Sequence, residues 1–102
     1  MSGKFSGYII RESRLYTERL QKIGDATKIN IALNAVWFGL ANNPESFPIV
    51  PMATPGNPLR VVKTDLHISD EVVVPPLRIF FSIEEGNVVL LRNIETRHGF
   101  GF

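Results

Sequence analysis

The 102-residue chain has no cysteine, which excludes a disulfide frame and a thiolate metal site. Its two histidines, His67 and His98, stand far apart in sequence, so no zinc site and no other metal site or cofactor is expected. Strong net charge is missing too: the formal balance is +1. Residues 29–58 hold a single charge, Glu45. No apolar run is long enough to span a membrane, and the opening MSGKFSGYIIRES does not read as a signal peptide, so a cytoplasmic protein without a membrane partner is expected.

What is present suits one folded domain over residues 1–102, because a chain this short builds one core. Hydrophobic residues at 44% and charged ones at 21% are ordinary for a folded protein. The charge that exists is uneven. Lys4, Arg11, Arg14, Arg19, Lys22 and Lys28 crowd the first 28 residues against Glu12, Glu18 and Asp25. A basic first helix facing nucleic acid or an acidic partner is one reading, and a solvated helix face is the other.

The stretch Leu77–Ile94 organises the rest. Two runs rich in β-branched and aromatic residues flank Glu84-Glu85-Gly86-Asn87, which reads as a β-hairpin. Alternation puts Leu77, Ile79, Phe81 and Ile83 on one face and Arg78, Phe80 and Ser82 on the other. A two- or four-residue loop leaves the partner strand's faces alike, whereas a three-residue loop exchanges them, so the register stays open. One face of such a hairpin needs a cover.

Before it, Tyr8-Ile9-Ile10 reads as a short strand. Ser13 to about Ile23 reads as a helix, with Tyr16, Leu20 and Ile23 on one face and Ser13 as N-cap. Gly24 stops it and Asp25 can cap the next. Ile29, Leu33, Val36, Trp37 and Leu40 then form an apolar stripe, ended at Asn42-Asn43-Pro44 by an asparagine that tolerates left-handed backbone. The pattern gives a helical hairpin as the cover. Residues 44–58 carry five of the seven prolines and predict a long surface loop, either binding loop or spacer, with no helix or central strand. Leu59–Leu66 predicts a strand with Arg60 and Lys63, His67–Glu71 a turn, and Val72–Val74 a further strand before Pro75-Pro76. The fold class expected is α+β: an N-terminal strand and a two-helix hairpin packed on a mostly antiparallel sheet of four to five strands.

In Pro76-Leu77-Arg78-Ile79-Phe80-Phe81-Ser82-Ile83, the acidic-Gly turn, Val88–Leu91 and the closing Arg97-His98, together with this order of elements, the chain resembles the RelE/ParE-like toxins of bacterial type II toxin–antitoxin systems. The resemblance runs from Tyr8 to Phe102. It implies a toxin silenced by a cognate antitoxin, either a ribosome-dependent mRNA endoribonuclease or a DNA gyrase inhibitor. Metal-independent RNA cleavage needs a base, an acid and cations for the charge growing on phosphate. The resemblance makes Arg78 and Arg97 catalytic candidates and Arg60 and Lys63 candidates for RNA binding; His98, beside Arg97, joins the catalytic set, and Phe100 the RNA-binding set. Arginine keeps its charge and its fork of donors at any working pH, and His98 can titrate near neutrality. Where many such nucleases carry a tyrosine near the C-terminus, Phe100 and Phe102 stand here, able to stack but without a hydroxyl. Beside these readings stand plainer ones: Arg78 pairing with Glu95 across the hairpin, Glu84 and Glu85 as turn residues, His67 as a turn residue, and a toxin fold acting by binding alone or as an interaction module.

Overall fold

A computed structural model describes residues 7–51, 56–69 and 72–97. Strand β1 (Ile9–Glu12) leads into helix α1 (Arg14–Ile23), α2 (Ala26–Ala32) and α3 (Asn34–Asn42). Then come a 3-10 turn (Pro44–Ser46) and strands β2 (Arg60–Lys63), β3 (His67–Ser69), β4 (Val72–Val74), β5 (Leu77–Glu84) and β6 (Val88–Thr96). The architecture is α+β. The main sheet has the order β1-β6-β5-β2, antiparallel except that β1 runs parallel to β6, and β3–β4 form a separate two-stranded sheet.

Helix boundaries follow from local chemistry. Ser13 Oγ accepts from the Tyr16 amide, and Asp25 Oδ1 accepts from the amides of Thr27 and Lys28, satisfying donors that a first turn leaves open. The expected second helix is divided: Leu33 leaves helical geometry at φ −93°, ψ 15°, between α2 and α3. The β-branched Ile29 and Ile31 and the asparagines at 30 and 34 lower helix propensity around that point. Asn43 is not left-handed, at φ −151° and ψ 62°. Pro44 then starts a 3-10 turn inside the segment expected to contain no helix, which its fixed φ favours at a first helical position. His67 lies in a strand and not in a turn, paired with Val74 across β3–β4. β2 ends at Lys63, pairs directly with β5, and leaves β3–β4 outside the main sheet, so the main sheet has four strands and Val72–Val74 is not among them.

The hairpin resolves its register with a three-residue loop. Glu84 faces Val88, and Gly86 (φ 80°) and Asn87 (φ 58°) take the left-handed backbone that these two residue types tolerate. That loop aligns Val89 and Leu91 with Ile83 and Phe81. Ile94 is three residues beyond Leu91, the wrong parity for a regular strand, and yet it is buried opposite Ile79. A β-bulge at Arg92 supplies the missing step, since Phe80 faces Asn93 while Phe81 faces Leu91.

All buried strand residues of the main cluster lie on one side of the sheet. Val62, Leu77, Ile79, Phe81, Val89, Leu91 and Ile94 pack with Tyr16, Leu20, Ile29, Leu33 and Leu40 of the helices and with Val74. Trp37 and Ile83, expected in the same core, are half-buried against it. Phe47 stands edge-on to Phe81, 5.9 Å between ring centroids. The opposite side of the sheet carries no described helix, and that side positions the site.

Candidate nucleic-acid interface on the helix-free face

Strand alternation determines what this face presents. Lys63 of β2 lies directly opposite Arg78 of β5, which lies opposite Glu95 of β6. One row further in, Val61, Phe80 and Asn93 stand side by side, and none of them belongs to the helix-side core. Beyond the bulge follow Ser82 with Leu90, and Leu90 with Arg11 of β1. The face thus joins an aromatic on a central strand to flanking cations, the two ingredients of single-stranded nucleic-acid binding.

Arg78 Nη2 is 2.8 Å from Glu95 Oε2, and its Nε is buried without a partner among the described residues. The plainer reading of Arg78 as a cross-strand pair is therefore met geometrically. Lys63 is exposed and forms no ion pair among the described residues. The Arg97 amide donates to the Pro76 carbonyl, one step past Thr96, so alternation carries Arg97 to the side of Glu95. Its guanidinium donates to the Thr64 carbonyl at 2.8 Å and stands 3.7 Å from Asp65. Lys63, Arg78 and Arg97 come together at one corner of the face.

Arg60 does not join them. Three residues before Lys63, it has the opposite parity and pairs with Phe81 on the helix side. There its Nη1 donates to the carbonyls of Phe47 (2.8 Å) and Glu45 (3.1 Å), holding the 3-10 turn against the sheet. His98 and Phe100 lie outside the described residues.

At the hairpin end of the same face is a second polar cluster. Ser82, almost completely buried, donates to Glu84 Oε2 at 2.6 Å and accepts weakly from Arg92 at 3.4 Å. The hydrogen bond from Ser82, then one from Asn57, with the Arg92 charge added, hold the Glu84 carboxyl below the usual carboxylate range. A carboxylate held ionised this way is a poor proton donor, which suits Glu84 to the plainer reading of a residue at the turn.

No family model, no curated protein and no solved structure matches this chain.

Among the described residues the face carries the cations Lys63, Arg78 and Arg97 and the half-buried ring of Phe80. Sequence reasoning placed Phe80 on the face of Arg78 without naming it as a site residue, and missed Arg92 and Arg11 as parts of this face. The three-residue step from Leu91 to Ile94 was a usable signal for Arg92, because two core residues at odd spacing in one strand require a bulge between them. Arg11 had no such signal, since its place depends on the parallel pairing of β1 with β6.

Proposed function

We propose that this protein acts on RNA across the helix-free face of its sheet, as a cytoplasmic toxin of the RelE/ParE kind that a cognate antitoxin keeps silent. On this reading it cleaves mRNA on the ribosome. The observation that carries it is the row Lys63–Arg78 beside Phe80, with Arg97 at the same corner: cations for a phosphate next to a ring for a base. The arginines hold the scissile phosphate and stabilise its growing charge, and His98 moves a proton. The test is expression without a partner in a bacterial host, followed by mapping of message ends. Growth arrest with cuts that require translating ribosomes supports the reading, and normal growth with intact messages defeats it.

One observation favours a second reading, binding without cleavage, on gyrase or another target. Arg78 is already paired with Glu95 at 2.8 Å, and a guanidinium committed to a carboxylate has less capacity for a phosphate. Growth arrest with uncut messages would select it.

A further inference from the structure

On the helix side of the sheet, away from the face just described, a cleft of about 330 Å³ opens between β1, β6 and the helices. Its lining is Ile10, Glu12, Asn30, Trp37 and Leu91. The volume is at the lower end of small-ligand pockets, and the lining has their usual make-up: mostly apolar, with two polar groups. Glu12 is drawn to this side by its register opposite the buried Leu91. One of its oxygens accepts from Thr17 Oγ1 at 2.7 Å, and the carboxylate forms no ion pair among the described residues.

We propose that this cleft binds an organic cation, an alkyl-ammonium or alkyl-guanidinium group. Its charge meets the Glu12 carboxylate and the face of Trp37, its remaining donor meets the Asn30 amide, and its carbon chain lies on Ile10 and Leu91. A carboxylate beside an indole attracts a cation twice over, by charge and by the ring quadrupole, and aliphatic walls favour a cation carrying a few carbons over a bare ion. Glu12 also stands close to Tyr16. Tyr16 is wholly buried with its hydroxyl unpartnered among the described residues, and the negative charge of Glu12 adds to burial in pushing its ionisation upward. The cation can be a free amine or the side chain of a lysine or arginine on a partner. The chemistry recognised is the same.

Trp37 is the chain's single tryptophan, so fluorescence excited selectively at tryptophan reports from a residue that lines this cleft. The experiment titrates the full chain with agmatine, with a short arginine-containing peptide, and with 1-pentanol as an uncharged control of similar length. A saturable change with the cations and none with the alcohol is expected. Glu12→Gln, which keeps the acceptor for Thr17 and removes the charge, is expected to weaken the cations by about tenfold or more. Asn30→Ala is expected to weaken them less. Tighter binding of the peptide assigns the site to a partner's side chain, and tighter binding of agmatine to a free amine. No saturable change with either cation, an equal response to the alcohol, or unaltered affinity in Glu12→Gln overturns the proposal. RNA cleavage has no part in this readout, so the two claims fail separately.

Discussion

Arg78 sits between Lys63 and Glu95 in one row across three strands, and its guanidinium is committed to Glu95 at 2.8 Å. The pair is partly exposed, with the two side chains 28% and 37% accessible, so it contributes on the order of 0.2–1 kcal/mol to stability. Beside it stands Lys63, which forms no ion pair among the described residues, and any phosphate bound by Arg78 has to compete with Glu95. On the RNA-acting reading proposed above, Glu95 is then a competitor of the bound anion.

Glu95→Gln tests this directly. Removing the competing charge is expected to tighten single-stranded RNA binding severalfold and to steepen its salt dependence, while the melting temperature changes little. Fluorescence anisotropy at several salt concentrations measures both. Weaker binding in the variant would mean that Glu95 orients Arg78 for RNA and does not compete with it.

Phe81→Ala removes a ring with no exposed surface, packed edge-on against Phe47, and is expected to destabilise the protein by about 3–5 kcal/mol. Denaturant unfolding measures it. An unchanged midpoint would contradict the core described here.

Much of the fold was legible because it followed from short-range rules. Ser13 and Asp25 announced two helix starts, and the alternation from Leu77 to Ile83 announced which side of β5 is buried. The three-residue loop was one of the open alternatives, and the core settled it by burying Val89 and Leu91 together. The division at Leu33 was not legible, since a continuous apolar stripe crosses it and only tertiary packing decides where a weak helix breaks. In the site, Arg78 and Lys63 could be placed by parity. The same parity argument would have separated Arg60 from Lys63, which are three residues apart. The detached β3–β4 sheet and the parallel β1 depend on long-range pairing that no local pattern encodes.

Arg60→Ala leaves the carbonyls of Glu45 and Phe47 without their shared donor, and is expected to cost about 1–3 kcal/mol. RNA affinity and its salt slope are expected to stay the same, because Arg60 faces the helices. Intact stability with weakened RNA binding would return Arg60 to the nucleic-acid site.

Acid stability carries the mark of Glu84. Its folded-state carboxyl titrates below its unfolded value, so the stability it contributes is present above the unfolded value and is lost as pH falls through the folded one. Ser82→Ala removes the largest cause of that depression. Carboxyl carbon shifts in a pH titration are expected to show the Glu84 midpoint moving upward in the variant, with less of the acid-side loss of stability assignable to it. An unmoved midpoint would show that Ser82 does not hold the carboxylate.

The most direct test of the RNA-acting role is primer extension on a defined message carried by translating ribosomes, with wild-type protein and with Arg78→Ala. Ribosome-dependent cuts by the wild type are expected, slowed about 100- to 1,000-fold in Arg78→Ala while the variant keeps its fold by circular dichroism. An uncut message with the wild type, or cutting by Arg78→Ala at the wild-type rate, would contradict it.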